Sequence, residues 1–314
     1  MLIETVPFAG PVRDPIDVIM ASSQDAVLAI ITGVEGPSYR PVGAFMAVFE
    51  DGSRAGTLSS GCIEADIGVH AREALATGRS ASVRYGRGSP FIDIQLPCGG
   101  GLDILLLPRP DRGVLEQLAH ARRERRPVTL AVVRATGALE LRQDGATGWH
   151  GEEFLLRETP AIRFLVFGKG PEAATFAALV QGAGYPNRLL SPDPETIGAG
   201  AAAGCPTQAL NRPELPEDLN IDPWTAVILF FHDHDWEPPI LAGAIETDAF
   251  YIGAQGSQRA RDARLRELHV LGADPVRLQR LHGPVGLIPS ARDSGTLAVS
   301  VLAEILQAAM AREQ

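Results

Sequence analysis

The sequence predicts an α/β protein, with a mixed α/β domain first and a domain built on a parallel sheet second. Three observations predict it. Apolar runs alternate with helical-period segments through the second half of the 314 residues, as strands joined by crossover helices do. A glycine turn, Gly168-Lys169-Gly170, follows directly on one of those runs. The first third mixes strand-like runs with two helical segments. The length suffices for two cores. The expected division is residues 12–109, a connector or small subdomain at 110–160, and residues 161–312.

Asp14 to Gln24 reads as a helix. Ala26–Val34 and Phe45–Glu50 read as strands, the second ended by the turn Asp51-Gly52. From Gly61 to Gly78, Ile63, Ile67, Ala71 and Leu75 fall at helical spacing before a terminal glycine. Ile92–Leu96 and Ile104–Leu107 are expected strands that bracket Cys98. After Pro108-Arg109-Pro110 comes a basic, exposed helix around Gly113–Arg126. Val128–Arg134 and Ala138–Arg142 form a hairpin about Thr136-Gly137. Arg163–Phe167, Arg188–Leu190, Ala226–Phe231 and Phe250–Ile252 read as parallel strands, and Thr296–Ala311 as a last helix.

The chain has 38 acidic and 28 basic residues, a net charge of −10. An acidic surface argues against nonspecific nucleic-acid binding. No apolar run approaches a membrane span, and no basic segment with a long apolar core opens the chain. Three cysteines do not make a disulfide framework, and a reducing cytoplasm is expected.

Four motifs can carry chemistry. Gly168-x-Gly170-x-x-Ala173, between a strand and a helix, has the pattern of a Rossmann-like phosphate turn, and Asp193 stands where a ribose hydroxyl would be held. The plainer reading is close packing of helix on strand. His232-Asp233-His234-Asp235-Trp236-Glu237 follows a parallel strand, where imidazoles and carboxylates suit a metal or acid–base work. It reads equally as an exposed polar loop. Tyr251-Ile252-Gly253-Ala254-Gln255-Gly256-Ser257 is a strand and glycine turn opening a helix. Ser257 would cap that helix, beside amides able to meet an anion. Finally, Cys62 in Ser59-Ser60-Gly61-Cys62-Ile63-Glu64 and Cys98 in Pro97-Cys98-Gly99-Gly100-Gly101 lie beside glycines. Their spacing is neither a zinc nor a thioredoxin motif. The helix dipole behind Cys62 favours a thiolate, a soft ligand for molybdenum, copper or sulfane sulfur. The alternative is a pair of small buried hydrophobes. Cys205 reads as structural.

Taken in order and spacing, these blocks resemble the XdhC/CoxI family, the accessory factors of xanthine dehydrogenase and related molybdenum hydroxylases. The resemblance is carried by Gly43-Ala44-Phe45-Met46, Ser59 to Glu64, Cys98-Gly99-Gly100, Tyr251 to Ser257, Pro284-Val285-Gly286-Leu287 and Ala298 to Ile305. It implies a carrier rather than a catalyst. Such a protein binds the molybdenum cofactor (molybdopterin), protects it while its sulfido ligand is installed, and delivers it to the apo-hydroxylase. A cysteine desulfurase is the implied sulfur donor and a homodimer the implied assembly. Cofactor contacts would fall on Cys62, Glu64, Cys98, Gly99 and Gly100, on Gly168, Gly170 and Asp193, on His232 and His234, and on Gly256 and Ser257. Cys62 and Cys98 would face the metal. One shared cleft, with the cysteines on one wall and His232–Asp235 on the other, is the expected arrangement. The chain departs from the family at Ser60, where a glycine is usual, at Pro171, where histidine is common, and at Asp293-Ser294-Gly295-Thr296, where Thr-Pro-Glu-Glu is.

Two other classes remain open. An NAD(P)-dependent oxidoreductase would use the glycine turn and Asp193, with a nucleotide there. No tyrosine–lysine pair supports it, since Lys169 is the sole lysine. A metal-dependent hydrolase or nucleotidyltransferase would use His232–Glu237.

Overall fold

The computed structural model describes residues 14–59, 61–90, 96, 99–231 and 235–312. It divides into two units, Met1–Pro160 and Ala161–Gln314.

In the first unit, the run Ala-Val-Leu-Ala-Ile-Ile dictates the architecture. It begins strand β1 (Ala26–Glu35), and all six of those residues are buried. A strand that is apolar on both faces must be covered on both faces. β1 is the middle of an antiparallel five-stranded sheet of order β3-β2-β1-β5-β4, with β2 Phe45–Phe49, β3 Arg54–Gly56, β4 Ala81–Gly86 and β5 Gly101–Pro108. Val27, Ala29 and Ile31 pack with Ile67 and Ala71 of helix α2 (Glu64–Thr77). Leu28 and Ile30, on the other face, pack with Ile16 and Ile19 of α1 (Pro15–Ala21) and Leu115 and Leu118 of α3 (Arg112–Arg123). Asp14 caps α1 by accepting the Ile16 amide at 2.8 Å. α2 ends, as its glycine indicates, at Gly78 in the left-handed region.

α3 is not simply an exposed basic helix. Its arginines lie outward or near its C-terminus, while Leu115, Leu118, Ala119 and Ala121 are buried. The hairpin that follows is present as β6 (Val128–Val133) and β7 (Leu139–Arg142). With β8 (Gly148–His150) and β9 (Glu153–Glu158) it forms an antiparallel sheet of order β7-β6-β9-β8. Leu130, Val132, Phe154 and Leu156 join the same apolar cluster as Leu28 and Ile30. Residues 110–160 therefore share a core with the sheet before them.

The second unit is a parallel six-stranded sheet of order β12-β11-β10-β13-β14-β15. Its elements are β10 (Arg163–Gly168), α4 (Pro171–Gly182), β11 (Asn187–Ser191), α5 (Pro194–Ala202), β12 (Thr207–Ala209), β13 (Thr225–Phe230), α6 (Glu237–Ala244), β14 (Tyr251–Ala254), α7 (Gln258–Val270), α8 (Pro275–Leu278), β15 (Leu281–His282) and α9 (Ser294–Arg312). The order reverses between β10 and β13, which is the doubly wound Rossmann topology, whose ligand crevice lies at the carboxyl ends of the strands. Phe164, Val166, Ala226, Ile228 and Phe230 face α4 and α9, while Leu165, Phe167, Val227 and Leu229 face α6 and α7. α9 is long and apolar enough to cross a membrane by length and composition. Its Ala298, Val301 and Ile305 nevertheless lie in the core that α4 shares. The expected strand Ile92–Leu96 falls outside the described residues, except for Leu96.

Leu130→Ala should cost about 2–5 kcal/mol. In hydrogen exchange, faster amides in β1 and α3 as well as β6, with β10 and β13 unchanged, is the expected outcome. An effect confined to residues 128–158 would show two independent cores instead.

Candidate functional site

The loop between β3 and α2 is organised by one carboxylate. Glu64, the first residue of α2, is buried. Its Oε1 accepts the Thr57 hydroxyl at 2.5 Å and the amides of Leu58 and Ser59 at 3.0 and 2.8 Å. Its Oε2 accepts the Ser59 hydroxyl at 2.8 Å. The Ser59 oxygen in turn accepts the amides of Cys62 and Ile63, each at 3.1 Å. Burial by itself would raise the carboxyl pKa. Donation by Thr57 and by the amide and hydroxyl of Ser59 outweighs it and brings Glu64 down to about 2. Both oxygens of Glu64 are thus directed at its own loop. Glu64, expected as a cofactor contact, holds the loop from within, and Cys62 beside it is exposed.

The second cysteine segment begins at the same edge of the sheet. β5 starts at Gly101 opposite Glu35, the last residue of β1. Leu58 and Ile63, which flank the Cys62 loop, share an apolar cluster with Leu96 and Leu102. Gly100 is buried so tightly that a Cβ there would lie 2.1 Å from the Pro37 carbonyl oxygen. Gly99 is exposed, with φ +71° and open space around it. Arg84 reaches over this edge to Asp103, at 2.8 Å, and to Glu35. Cys98 itself lies outside the described residues. Among those that are described, no group of three His, Cys, Asp or Glu could hold a metal ion.

In the second unit the glycine turn is closed by its own neighbours. Gly168 is a packing glycine: a Cβ would stand 2.7 Å from the Phe230 carbonyl oxygen and 2.8 Å from the Ala173 methyl. Gly170, at φ +95°, is the N-cap of α4. Its amide is donated at 2.8 Å to the Thr196 hydroxyl, which donates at 2.6 Å to Asp193 Oδ2. Asp193 also accepts the Thr196 amide and so caps α5. Its hydrogen bonds from the Thr196 hydroxyl and amide hold its pKa below the usual range. The Lys169 amide goes to the Phe230 carbonyl, and Pro171 has none to give. Glu172 adds a carboxylate to the first turn of α4. The place of a dinucleotide's pyrophosphate therefore has few free donors, and the residue expected to hold a ribose holds Thr196.

Two of the C-terminal blocks line a cavity of about 640 Å³ at the ends of β14 and β15, and the third, on α9, supports it from behind. Gln255, Gly256 (φ +138°) and Ser257 form one side. Ser257 caps α7 by accepting the Ala260 amide at 3.2 Å. Val285 and Gly286 form another, held by α9. Glu304 accepts the Tyr251 hydroxyl at 2.7 Å and the Gly286 amide, and Ser300 accepts the Ile288 amide at 2.7 Å. Burial, with Glu304 beside it, pushes the Tyr251 hydroxyl pKa far up. Glu237 is buried and ion-paired with buried Arg264, which commits it to the fold. His232 and His234 lie outside the described residues. Cys205 is buried in the core shared by α4 and α9, and burial raises its thiol pKa.

Comparison with known proteins agrees with this geometry. Residues 164–305 match the XdhC Rossmann domain and residues 19–86 match the XdhC and CoxI family. The molybdenum cofactor insertion chaperone PaoD of Escherichia coli is 35% identical over 94% of this chain and 87% of its own. The chain belongs to the XdhC and CoxI family. A protein of Bacillus subtilis described as a probable xanthine dehydrogenase subunit is 25% identical over 95% of this chain and 97% of its own. A crystal structure described as a xanthine dehydrogenase from Bacillus halodurans shares the fold, with a TM-score of 0.77 and 23% identity over 95% of this chain and 96% of that one.

Ser59 and Thr196, the two hydroxyls that close these loops, do not stand out in the sequence as site residues. For Thr196 a signal is available: Asp193-Pro194 is a helix start, with an N-cap followed by proline at the first position.

Two expectations follow. Glu64→Gln should lose about 2 kcal/mol at pH 7. Because the folded pKa is the lower one, this contribution is complete above pH 4.5 and disappears as pH falls toward about 2. Urea titrations at several pH values should therefore show the two proteins converging across that window. Thr196→Val removes an acceptor from Gly170 and a donor from Asp193. It should cost about 1–3 kcal/mol in denaturant unfolding.

Proposed function

We propose that this protein binds the molybdenum cofactor as cargo, shelters it while its terminal sulfido ligand is installed, and passes it to an apo-molybdenum hydroxylase. A cysteine desulfurase supplies the sulfur, the working form is a homodimer, and the compartment is the cytoplasm. The observation that carries the reading is the Ser59–Glu64 network. It engages the amides of Leu58, Ser59, Cys62 and Ile63 within the loop and leaves Cys62 exposed. A soft ligand on a rigid, otherwise inert loop suits reversible attachment of a soft metal centre. Membership of the family that contains PaoD supports the same reading. In it, Cys62 and Cys98 approach the metal, and Gly99, exposed with open space around it, lets the second loop come close to the cofactor, while Gly100 packs that loop against the Pro37 backbone. The oxidoreductase alternative is disfavoured by the Thr196 hydroxyl on the Gly170 amide.

Protein produced together with the cofactor's biosynthetic enzymes should carry molybdenum and pterin, measured by metal analysis and by fluorescence of the oxidised pterin. Cys62→Ala should lose most of the molybdenum at an unchanged melting temperature, because the Cys62 amide, not its thiol, bonds the loop. Protein that loads a partner hydroxylase yet never holds metal or pterin would sink the proposal.

A further inference from the structure

The loop that joins β1 to β2, residues 36–44, stands at the same end of the sheet as the Cys62 loop. Register fixes this. Glu35, the last residue of β1, pairs with Gly101, where β5 begins, and Gly56, where β3 ends, pairs with Met46 near the start of β2. Leu58 and Ile63, on either side of the Cys62 loop, share an apolar cluster with Leu102, the partner of Val34 on β1. The β1–β2 loop is also pressed against the second glycine loop. A Cβ on Gly100 would lie 2.1 Å from the Pro37 carbonyl oxygen and 2.9 Å from that of Glu35, and one on Gly36 would lie 3.7 Å from Gly100 Cα.

This loop presents an aromatic ring to solvent. Tyr39 is 61% exposed, and its ring and hydroxyl have no aromatic, cationic or hydrogen-bonding partner among the described residues. The turn around it is nevertheless fixed. The Ser38 hydroxyl donates to the Arg40 carbonyl at 2.7 Å and accepts the Arg40 amide at 3.2 Å. Among the described residues of the first unit, the large apolar side chains left exposed are Val34, Tyr39 and Val69. Val34 and Tyr39 both belong to this one end of the sheet. Most of the charge there is neutralised internally: Arg84 and Arg87 engage Glu35, and Arg84 also engages Asp103. Arg40, half-buried next to Tyr39, has no ion-pair partner among the described residues.

Area decides which class of ligand fits. A specific protein interface buries about 800 Å² per partner. One phenol ring and one isopropyl group fall far short of that, but they match one face of a two-ring heterocycle. Such a ring stacks on an aromatic side chain whatever its substituents, and an arginine beside it brings donors for acceptor atoms on its rim. Gly99, exposed with open space around it, leaves room at the same end.

We infer that Tyr39 is a stacking platform for a planar heterocycle bound at this end of the sheet, with Arg40 as the neighbouring donor. That the heterocycle is the pterin of the molybdenum cofactor rests on the cargo reading above; the platform itself does not. In that reading Cys62 takes the metal end of the cargo and Tyr39 the ring.

The test is titration of 6-hydroxymethylpterin, which has neither metal nor dithiolene, into the full-length, cargo-free protein, read by quenching of the pterin fluorescence. Saturable quenching is expected. Tyr39→Leu should weaken binding about tenfold at an unchanged melting temperature. Tyr39→Phe should restore it to within about twofold, since the ring and not the hydroxyl does the stacking. Val69→Ala, at the exposed valine on α2, should leave it unchanged. Guanosine is the second probe, because a purine presents the same kind of ring. Guanosine binding weaker than the pterin supports the pterin as the ligand. Binding at least as tight, and lost in Tyr39→Leu, keeps the platform with a purine as its ligand. Absence of saturable quenching in the wild type, or equal binding by Tyr39→Leu, overturns the platform. Molybdenum and pterin carried by that same protein would leave the cargo reading standing. Tyr39-dependent binding by a protein that carries no cofactor when made with the biosynthetic enzymes keeps the platform and removes the cargo reading alone.

Discussion

A hydroxyl placed between a loop amide and a carboxylate fixes the key loop in each unit of this protein. In the first, Ser59 accepts from Cys62 and Ile63 and donates to Glu64. In the second, Thr196 accepts from Gly170 and donates to Asp193. The physical constraint is the same in both. Loop amides near a helix start have no helical partner, and leaving them unsatisfied in a partly buried site is costly. A neutral hydroxyl satisfies them, and a carboxylate held ionised by several donors anchors the hydroxyl. The amides engaged in this way, those of Cys62, Ile63 and Gly170, are no longer open to a ligand. What remains available differs. The first loop leaves a thiol exposed. The second leaves few donors, since the amides of Lys169 and Gly170 are engaged and Pro171 has none to give.

The helix starts of the second unit also differ in how their charge is compensated. Three helix starts, those of α4, α7 and α9, border the cavity at the ends of β14 and β15. α4 begins with Glu172 and α9 is capped by Asp293, so each dipole faces a carboxylate of its own chain. α7 alone begins with arginines. Buried Arg264 stiffens the same turn from behind, tying α7 to α6 through Glu237 and to the strand end through Gln255. α9 fixes the other wall through Glu304 and Ser300. The blocks at residues 251–257, 284–287 and 298–305 are far apart in sequence. They are neighbours because they build this one enclosure.

Much of the fold is legible in the sequence because burial writes itself into period. The six-residue apolar run of β1 and the all-buried β13 can only be central strands, and the glycine after β10 places the first crossover. α3 reads as merely exposed because its arginines mask an inner face of Leu115 and Leu118. Its partner sheet is discontinuous in sequence, which hides the shared core. The candidate site is less legible. A fingerprint marks where a turn is sharp, but not whether its amides are free. That depends on Thr196, 26 residues beyond Gly170, and on the direction in which Asp193 points. Glu64 likewise looks like a contact residue beside a cysteine. Only its burial and the donors that surround it turn it into a support.

The two loops therefore separate two jobs that a single glycine-rich motif often combines. Bringing a backbone close to a ligand requires small residues, whereas recognising an anion requires unsatisfied donors. Gly168 and Gly170 have the first property without the second: their small size serves helix packing and a left-handed turn. Rigid loops lower the ordering cost of binding. Asp193, read from the sequence as a ribose contact, and Glu237, read as part of a polar cluster, instead cap α5 and pair with buried Arg264.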